Sequence, residues 1–203
     1  MYTTRSGLIL GFHGCDESVA IKALTGEAFL KRSVNNYDWL GHGLYFWDNS
    51  PSRAMDFALH VQKYPTHSKG SIEKPAVIGA IIDLGYCLDL LDFDNLQLLK
   101  KTYLMLQSTS NFVNFPQNKS IGGIGDLLLR ELDCAVIEAL HTFEQDSHQQ
   151  PFDSIRGVFT EGKELYPNAG FREKDHIQIC IRNPNCIKGF FLPRELDGNY
   201  PKV

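Results

Sequence analysis

The stretch GHGLYFWDNS, residues 41–50, places a histidine, a tyrosine, a phenylalanine and a tryptophan beside two glycines within ten positions. A glycine turn followed by alternating bulky residues has two readings. One is an ordinary buried strand, LYFW, that leaves through a helix cap. The other is the floor of a pocket for a flat ligand. Leu44, Phe46 and Trp47 suit a core strand, whereas Tyr45 alternates with them and carries a hydroxyl that a core does not need. A tyrosine face can stack on a planar or cationic ring for roughly 0.5–2 kcal/mol. Residues 50–52 then start a helix with proline near its first turn.

Outward from this stretch, residues 8–12 read as a short buried strand ending at His13-Gly14, and residues 17–24 as a helix. Residues 43–47 form the next strand and residues 53–62 the helix after it. The segment AVIGAIIDL, residues 76–84, is the strongest strand signal, apolar and uninterrupted. Residues 93–106 and 124–132 are helical by period, and residues 134–140 either extend the second helix or form a strand. Residues 155–159, 177–181 and 186–192 read as strands, and residues 64–74, 108–123 and 145–151 as loops. The expected class is α+β, with strands early and late and helices mostly between them.

Composition narrows the function classes. With 203 residues, 43% of them hydrophobic, the chain can bury a core as one domain over residues 1–203 without metal or disulfide. The net charge of −4 gives no basic footprint for tight, nonspecific nucleic-acid binding. Cys15, Cys87, Cys134, Cys180 and Cys186 are odd in number and include no C-x-x-C pair, so neither a disulfide framework nor a zinc ribbon is expected. No run reaches the length of a membrane span, and the start carries no signal-like segment, which makes a cytoplasmic, metal-free protein the expectation. The run GGIG, residues 122–125, could cradle an anion or serve as a hinge. Arg156 could meet a phosphate or join a surface salt bridge, while His42 and His60 are expected to face solvent.

A second motif lies upstream. In FHGCD, residues 12–16, a histidine at a strand end is either structural or aimed at a ribose hydroxyl, with the bare backbone of Gly14 open to a ligand. An apolar strand ending in His-Gly, followed downstream by GHGLYFWDNSPSRAMDF, resembles the poly(ADP-ribose) polymerase-like branch of the ADP-ribosyltransferases, the H-Y-E class. The resemblance covers the first sixty residues and the last fifty or so; residues 65–149 match nothing in it. It implies a split β-sheet core and NAD as co-substrate. It also implies that His13 holds the adenosine-side ribose, that the backbone of Gly14 holds the nicotinamide carboxamide, and that Tyr45 stacks on nicotinamide. The family's second aromatic falls at Asp56 here, with Phe57 beside it.

The family's third motif is a glutamate opening a late strand before a return strand. Sliding NCIKGFF onto that return strand puts Gln178 at the glutamate position, with His176, two residues earlier on the same face, as the competitor. A glutamine keeps orientation at the reacting ribose but loses a charge, and charge-assisted hydrogen bonds are about twice as strong as neutral ones. Chain-extending polymer synthesis leans on that glutamate. The resemblance therefore implies mono-ADP-ribosyl transfer to a macromolecular acceptor, protein or nucleic acid, across a lip formed by residues 161–174. An NAD-binding module without chemistry and an NAD glycohydrolase are the alternatives.

Overall fold

The computed structural model describes residues 7–65, 71–109, 115–120 and 126–201. In chain order its elements are β1 (Ile9–Asp16), α1 (Glu17–Thr25), β2 (Leu44–Asp48), α2 (Pro51–Lys63), β3 (Pro75–Ile82), β4 (Cys87–Asp89) and α3 (Phe93–Thr109). There follow β5 (Asn118–Lys119), β6 (Leu129–Arg130), α4 (Glu131–Asp146), β7 (Ser154–Phe159), β8 (His176–Ile181), a 3-10 turn (Pro184–Cys186) and β9 (Ile187–Phe191). Seven strands form one sheet in the order β4-β7-β8-β2-β1-β3-β9, and β5 and β6 pair apart from it. Only the β4–β7 pair is parallel among the described pairs of the large sheet. The protein is α+β, as composition and pattern lead one to expect.

Strand alternation gives the sheet two apolar faces. One carries Phe46, Ile78, Ile82, Ile179 and Ile181, and packs with Ala20 and Ala23 of α1. The other is shared between two helical layers. Ala54 of α2 packs with Phe12, Trp47 and Val77, while Ile137 and Leu140 of α4 pack with Leu88, Ile155 and Cys180. Tyr45, Trp47 and Gln178 occupy the strands between these layers and point to this second face.

Gly14 sets how closely α2 approaches. A Cβ there would lie 2.0 Å from the carbonyl oxygen of Ala54. The side-chain position of Gly14 is therefore filled by a helix rather than open to a ligand, and only its backbone edge is left to face one. α1 begins where Asp16 accepts from the backbone and hydroxyl of Ser18, and ends at Gly26, whose φ of 76° suits glycine.

Several boundaries differ from expectation for physical reasons. β1 does not stop at His13 but runs to Asp16, because β3 pairs with it continuously from Ile9↔Ile82 to Asp16↔Pro75. Residues 126–130 are not helical. Trp39 Nε1 donates to the carbonyl of Leu128 at 2.9 Å, Leu129 pairs with Lys119, and Asn118 Oδ1 accepts from the backbones of Leu132 and Asp133, so that the helix starts only at Glu131. Residues 134–140 are helical, with Cys134, Ile137, Leu140 and His141 buried as one stripe. α3 runs on through Ser108 and α4 through Asp146, shortening the loops expected there. The glycine run at residues 122–125 lies outside the described residues. All five cysteines are buried free thiols; burial pushes those of Cys15, Cys87 and Cys186 up to about 11. Among the described residues no helix is long and apolar enough to cross a membrane, and no cluster of metal-ligating side chains is found.

Two outcomes follow from this packing. Gly14→Ala, forced against Ala54, should cost ~1–3 kcal/mol by overpacking, read as a lower urea midpoint. Gly189→Ala, with nothing within 4 Å of its new methyl, should leave the midpoint nearly unchanged. On α4, Glu144 Oε2 is buried without a hydrogen-bond partner, and burial raises its carboxyl to about 7. A carboxyl with a raised folded pKa holds its proton longer in the folded state, so stability should fall as pH rises from the ordinary carboxyl range through about 7. Glu144→Gln should flatten that decline in thermal melts across the same range.

Candidate functional site

The site begins where β1 and β2 part. Asn49 donates to the Leu10 carbonyl at 2.9 Å, and Glu17 donates to Lys74 at 2.8 Å beyond β3. Even-numbered residues of β1 therefore turn their backbone groups toward β2, and odd-numbered ones toward β3. The β1–β2 ladder includes Gly11↔Asp48 and Phe12↔Trp47 and then stops. The next even position is Gly14, whose backbone would meet Tyr45. Instead, His13 Nδ1 donates to the Tyr45 carbonyl at 2.8 Å. Gly14 consequently lies where the β1–β2 ladder ends, its backbone edge turned toward the point at which the two strands part.

With its Nδ1 proton engaged, His13 keeps its lone pair on Nε2. Burial lowers its pKa, the bond to Tyr45 partly opposing this, and the ring is neutral near pH 7. It lies beside Phe46, ring centroids 5.9 Å apart, on the α1 side of the sheet. Tyr45 points to the opposite side. Its hydroxyl donates to the Gly41 carbonyl at 2.6 Å and accepts from Leu40 N–H at 2.8 Å, which fixes the ring. Burial raises the Tyr45 pKa well above 10, so the hydroxyl keeps its proton. Gly41 has φ 71°, and a Cβ there would meet Glu138, which accounts for this glycine of the GHG turn. His42 does not simply face solvent: its N–H donates to Glu138, and its ring lies 3.5 Å from the same carboxylate. His60 is exposed.

On the other flank of β2, Gln178 stands opposite Trp47 and, across β8, opposite Gly157. It is half-buried, and its amide makes no hydrogen bond among the described residues. His176 opens β8 opposite Phe159 and is 8% exposed. Trp39, Phe159 and Trp47 surround it at ring-centroid distances of 6.0, 5.8 and 6.4 Å. Its Nδ1 donates to the Lys174 carbonyl at 2.6 Å, and its Nε2 is buried without a partner. Both side chains point to the Tyr45 face. Phe57 packs on Trp47, centroids 5.2 Å apart, and Asp56 binds Arg53.

Residues 161–174 close over this end of the sheet. Glu161 binds Arg53 at 2.7 Å, Lys174 binds Asp56 at 3.5 Å, and Asp126 holds both Gly162 N–H and Arg172. A cavity of about 560 Å³ opens within the segment, lined by Gly162, Lys163, Glu164, Leu165, Tyr166, Pro167 and Arg172.

Arg156 departs from both expectations. It is 5% exposed, with Asp48 of β2 at 2.8 Å and Asp89 of β4 at 3.3 Å, so its charge is already met by two carboxylates. It is a buried cation held between two carboxylates. Pattern alone singles out neither Trp39, Arg53, Glu161 nor Arg130, all of which border the His176 cage. Arg130 lies 4.6 Å over Trp39 and 4.8 Å over Phe159. Alternation in residues 154–159 marks which face each side chain takes, but not the loops and helix that cover it.

No protein-family model, curated protein or solved structure matches the chain.

Removing the Arg156 guanidinium strands two carboxylates in a confined site. Arg156→Ala should cost ~3–5 kcal/mol in chemical denaturation. Adding Asp48→Asn and Asp89→Asn should recover part of that loss, since the uncompensated charge is what makes the single change severe.

Proposed function

We propose that the chain is an NAD-dependent mono-ADP-ribosyltransferase built on an ADP-ribosyltransferase-like core. The observation that carries this reading is the end of the β1–β2 ladder beside Gly14, where the His13 ring reaches the Tyr45 carbonyl. A primary carboxamide has N–H donors and a carbonyl acceptor, the complement of the N–H and C=O that one strand residue presents at an open edge. The gap is bordered by Tyr45, whose ring is held by its hydroxyl and offers a face for a nicotinamide. His13 keeps an Nε2 lone pair for a ribose hydroxyl. The three segments that carry the resemblance lie on neighbouring strands, β1, β2 and β8.

Breaking the nicotinamide–ribose bond builds positive charge on the sugar, which a site lowers by holding both ends of the molecule and orienting dipoles at the reacting ring. Gln178, one ladder step from the Tyr45 level and without a hydrogen-bond partner of its own, is suited to bind a hydroxyl of that ribose. It orients without adding charge, which favours single transfer over chain extension. The lip at residues 161–174 borders His176 and is suited to meet a macromolecular acceptor.

Calorimetry should detect NAD binding, and nicotinic acid adenine dinucleotide should bind on the order of 100-fold more weakly, because its carboxylate has no proton for the Gly14 carbonyl. Gln178→Ala should lower nicotinamide release on the order of 100-fold while changing NAD affinity little. Equal affinity for the two dinucleotides would remove Gly14 from the site. NAD binding with no nicotinamide release from the unmodified chain would leave a binding module, and release of free ADP-ribose with no transfer to any macromolecule would indicate a glycohydrolase.

A further inference from the structure

The geometry points to His176 as the general base that takes the proton of the incoming nucleophile, an assignment that rests on the transferase reading above. The first support is its tautomer. Nδ1 donates to the Lys174 carbonyl at 2.6 Å, so the lone pair sits on Nε2. That nitrogen is buried and unpartnered, as are Trp47 Nε1 and Arg53 Nε. The three belong to neighbouring groups: Trp47 lies 6.4 Å from the His176 ring by centroid, and the Arg53 guanidinium lies 5.6 Å from the Trp47 ring. Two donors beside one acceptor suit an atom that accepts hydrogen bonds while giving up a proton. A hydroxyl or an N–H nucleophile answers that description, and a carboxylate does not.

Position is the second support. Successive same-face residues of a strand are ~7 Å apart, so Gln178 lies ~7 Å and His176 ~13 Å along β8 from the Tyr45 level. The order along the face is then the leaving ring at Tyr45, the reacting ribose at Gln178 and the acceptor at His176. Gln178 cannot take a proton; His176 can. In the step, the ribose C1–nitrogen bond breaks with its electron pair going to nicotinamide. The nucleophile's lone pair forms the new bond to C1, and its proton passes to His176 Nε2 and on to solvent.

The surroundings keep the base neutral. Burial lowers the His176 pKa, and Arg53 lowers it further, against the Lys174 carbonyl and the charges of Glu161 and Asp175. Arg130, over Trp39 and Phe159, and the Lys174 ammonium, bound to Asp56, are the other charges at the cage. The acidic limb of turnover should therefore lie below the ordinary histidine range. Glu161 and Lys174 close over the imidazole and are tied to α2, so an acceptor reaches Nε2 by displacing this lip.

The test uses the purified chain with NAD, water or azide as the nucleophile, and two variants. His176→Ala removes the ring. His176→Asn keeps a donor for the Lys174 carbonyl and removes the Nε2 lone pair, so it covers the case in which alanine fails to fold. With NAD affinity unchanged, nicotinamide release in water should fall on the order of 100-fold or more. Azide, which has no proton to lose, should restore turnover and yield ADP-ribosyl azide. Unmodified rates in a folded His176→Asn variant, or loss that azide does not rescue, would overturn the assignment alone. A wild-type chain that neither binds nor cleaves NAD would overturn the transferase reading, and this one with it.

Discussion

The hydrogen bond from the His13 imidazole to the Tyr45 carbonyl governs the candidate site. That carbonyl is the group that would otherwise continue the β1–β2 ladder to Gly14. A side chain one residue earlier takes its place, and two strands that pair at Phe12↔Trp47 open beyond it. An imidazole is well suited to this wedge, since it is long enough to reach across and neutral when buried. The surroundings hold this arrangement in place: β1 is anchored by its full ladder with β3, and the Tyr45 ring by the Gly41 turn. An opened sheet edge normally costs stability, and here the His13 ring bonds the Tyr45 carbonyl at the opening.

The rest of the site depends on how two helical layers share one face. α2 comes close to β1 because Gly14 has no side chain, and it carries Arg53 and Asp56 to the lip. On the other side α4 fixes the Gly41 turn through Glu138, which Arg182 holds in place. Each helix thus fixes the backbone of one motif and the loop of another. Gly157, opposite Gln178 on β7, adds no bulk there; a Cβ on it would lie 3.0 Å from Leu40.

Much of this was legible in the sequence where local pattern and tertiary demand agree. The apolar run at residues 76–84, the Ser-Pro helix start at residues 50–51 and the strands at residues 155–159 and 177–181 sit within a residue or two of where the pattern puts them. Failures came where a distant residue decides. The apolar period near residues 126–132 is real, but Trp39 and Asn118, remote in sequence, capture the backbone and delay the helix. Arg156 reads as a surface cation until β2 and β4 bring Asp48 and Asp89 to it. The motifs marked His13, Gly14 and Tyr45, and a histidine at a strand end reads as donating to a carbonyl, yet spacing does not show that this carbonyl is Tyr45's. Nor does spacing show that His176 is enclosed by three aromatic rings while Gln178 is left without a hydrogen bond.

The strand order also shapes how the chain folds as it is made. β1, β2 and β3 lie together in the finished sheet and leave the ribosome early, whereas β8, which seals the outer edge of β2, is made only after α3, α4 and β7. Until β8 docks, the LYFW strand keeps one edge of unpaired N–H and C=O groups between apolar side chains. Such an edge invites pairing with other chains. The docking of β8 therefore removes this exposed edge and brings Gln178 and His176 beside Tyr45 and Trp47 at once. A nascent chain halted before β8 has neither a closed sheet nor a complete site.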